Sequence, residues 1–156
     1  PPAMRLPSFF VRNSVGSRDG GVRPGGGFSL QLELRPDAAG MLLDGLDHND
    51  HGFAVRLSPQ RELELVLSDP WGKQVLASPP LPEQAVVVTI LVDGGPALVS
   101  FVADGCFLDG GEDRQFGFQR LASFLRHPNW VFQWTLSKAV ANLRVFNRCL
   151  MTAECR

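Results

Sequence analysis

Apolar and polar residues alternate along the stretch FSLQLELR (28–35), where every second side chain is phenylalanine or leucine. A helix would scatter these apolar side chains around its axis, whereas a β-strand places them all on one face. We therefore predict a half-buried strand, with Ser29, Gln31, Glu33 and Arg35 on its solvent-facing side. This spacing of two constrains the fold more than any other feature of the chain.

The same spacing recurs between frequent turns, because the 156 residues include 16 glycines and 12 prolines. Residues 52–58 and 61–68 are separated by a Pro-Gln pair, which predicts a hairpin. Its second strand would direct Leu63, Leu65 and Leu67 toward the core.

A central strand is predicted at residues 85–92, AVVVTILV, because this run is apolar on both faces. Residues 97–103 return beside it after a glycine-rich turn. The following Asp104-Gly105 is a dipeptide favoured in two-residue type I′ turns, in which both residues need a positive φ. This unit should form the middle of a sheet.

Strands are also predicted at 129–136, with Trp130 and Trp134 packing in the core, and at 140–146. Only 118–125 and 151–155 have a helical pattern, and both stretches are short. Roughly eleven short strands joined by tight turns are typical of an all-β fold, here a two-sheet antiparallel sandwich with few helical turns.

The length fits a single domain covering residues 1–156, in which residues 1–26 either form a loosely attached arm or supply an edge strand through residues 8–12. The chain opens on Pro-Pro with its first methionine at position 4, so we expect a domain excised from a longer protein. With 15 Lys and Arg against 16 Asp and Glu, the net charge of -1 argues against nucleic acid as a partner. No apolar stretch approaches the ~20 residues that membrane insertion requires.

The three cysteines, Cys106, Cys149 and Cys155, include no C-x-x-C pair. An odd count without that spacing argues against a disulfide framework and a cysteine-based zinc site. We predict three mostly buried, reduced thiols.

The order of these parts resembles the concanavalin A-like lectin and glucanase superfamily, and within it the laminin G-like jelly-roll domains. Such domains end in a strand followed by an Asn-Arg-x-Leu-Thr-x-x-Glu turn. Asn147, Arg148, Leu150 and Glu154 match this pattern, while Cys149 stands where a small residue is usual. The Thr of the pattern is displaced by one position.

The resemblance covers residues 27–156 and implies a fold more than a chemistry. On this basis Leu143 and Val145 would be buried, Leu150 would fasten the terminal turn to the sandwich, and Arg148 could pair with the glutamate of the pattern. By resemblance, such modules bind glycans or proteins, sometimes with Ca²⁺, and are secreted or displayed at the cell surface.

One loop, DGLDHNDHG (44–52), gathers an unusual number of potential ligands. Asp47, Asn49 and Asp50 could contribute oxygens to a Ca²⁺ ion, and His48 and His51 could bind zinc. Calcium takes six to eight oxygens and zinc usually four ligands, so partners from elsewhere would be required. The alternative is a polar turn between two strands, since Asp and Asn tolerate turn conformations.

A second candidate is Trp71, which lies in the turn SDPWGKQ (68–74). An exposed indole can stack on a sugar ring, and Asp69 or Lys73 beside it could bond to the hydroxyls. The alternative is a tryptophan folded back over the sheet edge.

We predict no catalytic residues. Glu62 and Glu64 have the spacing of paired glycosidase carboxylates, but they lack the third acid of the Glu-x-Asp-x-x-Glu glucanase pattern and are expected to be solvated. The leading hypothesis is a non-catalytic, lectin-like carbohydrate-binding module of a larger protein, using end loops or the concave sheet. The alternatives are a structural or protein-interaction domain that packs against other domains of its parent protein and, remotely, a glycoside hydrolase.

Overall fold

The computed structural model describes residues 3–5, 27–70, 72–93, 98–109, 119–120, 131–133, 135–146 and 149–155. Within these ranges no helix has the length and apolar character needed to cross a membrane. The strands in chain order are β1 (Ala3–Arg5), β2 (Gly27–Leu34), β3 (Gly40–Leu46), β4 (Gly52–Leu57), β5 (Glu62–Asp69), β6 (Gly72–Pro80), β7 (Val87–Asp93), β8 (Leu98–Ala103), β9 (Cys106–Phe107), β10 (Gln119–Arg120), β11 (Val131–Gln133), β12 (Thr135–Leu136) and β13 (Val140–Phe146).

Two antiparallel sheets form the domain. Sheet I has the strand order β10-β8-β7-β2-β13, with β9 also paired to β8, and sheet II has the order β12-β3-β4-β5-β6. Strands β1 and β11 form a separate pair. Because one hydrophobic cluster contains buried residues from both sheets, they pack face to face. The predicted two-sheet β-sandwich is confirmed.

Alternate side chains build this core, as the period of two predicted. Phe28 and Leu30 of β2 are fully buried in sheet I, and Leu63, Leu65 and Leu67 of β5 are fully buried in sheet II. Burying one such side chain contributes roughly 1.5–3 kcal/mol, so the strand faces that meet here are the main source of stability.

The predicted hairpin between β4 and β5 is present. Its turn closes through the N–H of Arg61, which donates to the carbonyl of Ser58 at 2.9 Å, and Arg61 itself has a φ of 61°. The β4 and β5 strands then pair from Leu57 opposite Leu63 to Gly52 opposite Ser68.

The central position of β7 and the type I′ turn after β8 are also confirmed. Strand β7 lies between β2 and β8, and the turn residues Asp104 and Gly105 have φ values of 48° and 80°. The Asp104 carboxylate accepts hydrogen bonds from the N–H groups of Val86 and Val87, at 3.1 and 2.8 Å. This turn therefore holds the start of β7.

The prediction that Ser29 and Gln31 face solvent is wrong. Ser29 is 0% and Gln31 6% exposed. At Ser29 the cause is the C-terminal segment, defined here as residues 149–155, which crosses the outer face of sheet I. The N–H of Leu150 donates to Oγ of Ser29 at 2.9 Å, and Cys155 is buried in the same cluster as Leu91. The segment ends in a 3₁₀ turn at Thr152–Glu154, and the fastening role expected of Leu150 is confirmed.

Three further expectations need correction. Val145 is 39% exposed, because β13 is the last strand of sheet I and has no neighbour on one side within the described chain. The sequence predicted three mostly buried, reduced thiols. All three cysteines are free thiols, but Cys106, in the type I′ hairpin, is exposed. Gln119–Arg120 is a strand paired to β8, where the sequence suggested a helical pattern.

Two of the sequence predictions involve residues that the structure does not describe. One is the core packing of Trp130 and Trp134, and the other is the pairing of Arg148 with Glu154. Of the proposed arm 1–26, only Ala3–Arg5 is described, and it forms β1.

Candidate functional site

The loop 47–51, between β3 and β4, is held together by its own hydrogen bonds. Oδ1 of Asp47 accepts the backbone N–H groups of Asn49 and His51 at 2.8 and 3.0 Å. The N–H of Asp47 donates to the carbonyl of His51 at 2.8 Å, and Asp50 has a φ of 58°. The loop thus has the geometry of a polar turn, as one of the two sequence interpretations predicted.

The carboxylate of Asp47 stabilises this turn while it is ionised. Its pKa is lowered from 3.8, chiefly because the N–H of His51 donates to it, with smaller contributions from the N–H of Asn49 and the charges of His51 and His48. Burial acts in the opposite direction. Nδ2 of Asn49 also lies 3.2 Å from Nε2 of His48. In the described part of the chain, no group of three His, Cys, Asp or Glu side chains is arranged to hold a metal ion.

The β5–β6 turn lies at the same end of sheet II as this loop. Gly52 pairs with Ser68 and Ser68 with Lys73, so two strand spacings, about 10 Å, separate the start of β4 from Lys73. The Lys73 side chain is exposed. Trp71 lies outside the described residues, and of Asp69 the structure describes the backbone, paired with Gly72.

The topology therefore brings the loop 47–51 and the ends of β5 and β6, at residues 68–69 and 72–73, to one end of sheet II, which we call the loop rim. Whether the rim binds a ligand stays a prediction. The paired glutamates lie elsewhere, on the outer face of sheet II. Glu64 accepts a charge-assisted hydrogen bond from Nε of Arg56 at 3.1 Å, and both Glu62 and Glu64 are half-buried.

A different group of polar side chains converges on the outer face of sheet I. It lines a pocket of about 110 Å³, which we call the polar pocket, formed by Gln31, Glu33, Val87, Asn142 and Arg144.

Strand register explains why these residues meet. Arg144 pairs with Gln31, and Asn142 pairs with Glu33, across β13 and β2. Glu33 pairs in turn with Val87 on β7. Paired residues on neighbouring strands share a face, so the five side chains project from three adjacent strands.

Gln31 forms the buried part of the polar pocket. Its Nε2 donates to Oγ1 of Thr89 at 3.2 Å, which fixes the amide against β7. An amide has two N–H donors and an oxygen with two lone pairs, so this single bond leaves further capacity for a ligand.

Two charged side chains, Arg144 and Glu33, lie at diagonal positions across the β13–β2 pair, and both are exposed. In the described part of the chain they form no ion pair with each other. The ion pair between Arg56 and Glu64 lies on sheet II. The guanidinium can bond a carboxylate through two parallel N–H groups, and the carboxylate of Glu33 can accept hydroxyl protons. The polar pocket can thus recognise a hydroxyl-rich, acidic molecule.

The sequence analysis did not predict this pocket because its residues lie on strands that are distant in the chain. Gln31 and Asn142, for example, are separated by 111 residues. A weak signal existed, since Gln31 and Glu33, like Asn142 and Arg144, occupy alternate positions of their strands. Only the register shows that the two pairs lie side by side.

Comparisons with known proteins give no sequence relationship. No family model matches the chain, and no curated protein matches it.

Solved structures resemble it in fold. The CBM40 module of the Ruminococcus gnavus IT-sialidase bound to α2,3 sialyllactose has a TM-score of 0.51 at 13% identity, covering 99% of this chain and 95% of that one. The same module bound to α2,6 sialyllactose has a TM-score of 0.46 at 13% identity, covering 99% and 95%. A further CBM40 structure from this enzyme has a TM-score of 0.45 at 16% identity, covering 83% and 79%. The first of these likenesses shows that the chain shares the β-sandwich fold of a carbohydrate-binding module.

Proposed function

We propose that this protein is a carbohydrate-binding module of laminin G-like type, which holds a glycan in the polar pocket and performs no chemistry on it. The observation that carries the proposal is the set of one guanidinium, one carboxylate and two amides on an open sheet face, formed by Arg144, Glu33, Gln31 and Asn142. Donors and acceptors of this variety match the hydroxyl groups of a sugar ring.

The preferred ligand in this proposal is a glycan with an acidic sugar. Arg144 is the cation among the described lining residues, and a guanidinium can bind a carboxylate through two parallel hydrogen bonds. Support also comes from the fold neighbour with a TM-score of 0.51, which was solved with α2,3 sialyllactose bound. The uncharged face of such a ligand would rest on Val87.

Binding without hydrolysis is part of the proposal. Glycoside hydrolysis commonly uses two carboxylates that flank the scissile bond. Among the described lining residues of the polar pocket, Glu33 contributes one carboxylate, and Glu64 on the opposite sheet is paired with Arg56.

Calorimetric titration with α2,3-sialyllactose and with lactose tests the proposal, because the two ligands differ by the acidic sugar. Arg144→Gln should weaken the binding of sialyllactose by roughly 10- to 150-fold, the equivalent of about 1.5–3 kcal/mol for a lost charge-assisted bond. The matched control is Lys73→Gln, which removes another exposed cation, on the loop rim.

Loss of binding in Lys73→Gln but not in Arg144→Gln would move the site to the loop rim and refute the polar pocket. Failure of the unaltered domain to bind any acidic or neutral glycan of an array would instead favour a structural or protein-interaction domain.

A further inference from the structure

Gln31, the buried residue of the polar pocket, begins a chain of side-chain hydrogen bonds that continues beneath the C-terminal segment. Nε2 of Gln31 donates to Oγ1 of Thr89 at 3.2 Å. Thr89 is fully buried and lies directly opposite Gln31 in the β2–β7 pair. It is not among the described residues that line the pocket, so any effect of Thr89 on a ligand passes through Gln31.

Cys155 of the C-terminal segment is the next residue of this chain. It is fully buried in the hydrophobic cluster that contains Val102, and Val102 is the residue of β8 that pairs with Thr89. Sγ of Cys155 donates to the carbonyl of Met151 at 3.4 Å. The thiol proton is thus bound within the segment itself, which leaves the sulfur as an acceptor.

The direction of the hydrogen bond between Thr89 and Cys155 follows from its effect on the thiol. Burial raises the pKa of Cys155, and the side-chain hydrogen bond with Thr89 acts in the opposite direction. A hydrogen bond lowers a thiol pKa when it is donated to the sulfur, so the O–H of Thr89 is directed at Cys155. The oxygen of Thr89 is then an acceptor, which requires the nitrogen end of the Gln31 amide rather than its oxygen end.

The oxygen end of this amide is open to the pocket. In the described part of the chain, Oε1 of Gln31 accepts no hydrogen bond from protein. Within the same ranges, Nε of Arg61 is the one side-chain nitrogen or oxygen that is sealed from solvent without a partner. Oε1 therefore reaches solvent, although Gln31 is only 6% exposed. A fixed acceptor of this kind can take one proton from a ligand.

We infer that Thr89 and Cys155 are positioning residues of the polar pocket, which hold the Gln31 amide with its oxygen toward the ligand. This inference rests on the proposed function and adds a requirement to it: besides an acid for Arg144, the glycan must present a hydroxyl or N–H group to Gln31. The docked C-terminal segment then contributes to binding, although none of its described residues lines the pocket. Loss of the sulfur would free the Thr89 hydroxyl to rotate and the amide to turn.

The side-chain NH₂ resonances of Gln31 test the hydrogen-bond chain without any ligand. In the whole domain labelled with ¹⁵N, they are assigned by their absence from Gln31→Met. Thr89→Val removes the acceptor with little change of shape and should shift them. Cys155→Ala should also shift them, although its hydrogen bond is made to Thr89. The matched control is Val102→Ala, which removes buried apolar atoms from the same cluster and should leave these resonances in place.

Calorimetric titration with α2,3-sialyllactose tests the effect on binding. Thr89→Val should weaken binding roughly 3- to 10-fold, the loss of one uncharged hydrogen bond, and Cys155→Ala should weaken it by less. Thr89→Ser keeps the hydroxyl and should bind within about twofold of the unaltered domain. When Gln31→Met is already present, Thr89→Val should cause no further loss, because Thr89 acts through the amide. The melting temperature of each variant verifies that it is folded.

The inference is overturned if the Gln31 resonances are unchanged in Thr89→Val and Cys155→Ala, or if Val102→Ala shifts them equally. It is also overturned if Thr89→Ser binds as poorly as Thr89→Val, or if the losses of Gln31→Met and Thr89→Val add in the double variant. Both of these results indicate a general structural effect.

The titrations also separate this inference from the proposed function. If Thr89→Val binds sialyllactose as well as the unaltered domain does while Arg144→Gln does not, the positioning role is wrong and the proposed function stands. If the unaltered domain binds no glycan, the proposed function is wrong and the positioning role is overturned with it.

Discussion

We expect Asp104→Ala to lower the free energy of unfolding by about 2–3 kcal/mol. The residue has a φ of 48°, and alanine in this left-handed region costs roughly 1 kcal/mol. Its carboxylate also accepts the N–H groups of Val86 and Val87, at 3.1 and 2.8 Å. Each of these exposed bonds contributes roughly 0.5–1 kcal/mol.

Two companion variants separate these contributions. Asp104→Asn retains the tolerance for positive φ and one acceptor oxygen, so its loss should be about 1 kcal/mol or less. Asp104→Gly removes the strain but also both bonds, and should fall between the other two. Urea unfolding followed by tryptophan fluorescence gives the three values. Equal losses for Asp104→Ala and Asp104→Asn would refute the strain argument, and a loss below about 0.5 kcal/mol for all three would refute the role of the turn.

Three further outcomes are expected. Leu150→Ala should cost about 2–3 kcal/mol in the same assay, because Leu150 is 4% exposed; a loss below about 1 kcal/mol would mean that the C-terminal segment is undocked in solution. Burial, and then the charges of Asp93 and Cys155, raise the pKa of Cys149 from 9.0 to about 11, so the unfolded thiol ionises first and stability should fall as the pH rises between these values. The fall should be about 1 kcal/mol after allowance for partial exposure and should shrink in Cys149→Ser; stability that is flat over this interval would contradict it. Because Oδ1 of Asp47 is already held by loop amides, the melting temperature should be the same in Ca²⁺ and in chelator, and a rise with Ca²⁺ would restore the calcium site.

The strands and turns could be predicted because local chemistry determines them. The alternation from Phe28 to Leu34 sets one face of β2, and Asp104-Gly105 tolerates the positive φ values of its turn. That the C-terminal segment covers part of the outer face of sheet I could not be predicted in the same way. Ser29 and Gln31 are polar, as solvent-facing residues usually are, yet the segment that buries Ser29 lies 121 residues further along the chain.

The candidate sites illustrate the same limit. Sequence reasoning selected the loop 47–51 because it concentrates potential ligands, and the structure gives these polar groups a role in the turn itself. The polar pocket is assembled from alternate positions of separate strands, where no short motif exists. Pairing order and register carry that information, and neither can be read from one sequence.

The central claim is that a glycan binds across β13, β2 and β7 on the outer face of sheet I. Amide chemical-shift mapping during a titration with α2,3-sialyllactose tests it most directly. We expect the saturable shifts to cluster at 31–33, 87–89 and 142–144. Shifts confined to 47–51 and 72–74, at the loop rim, would contradict the claim.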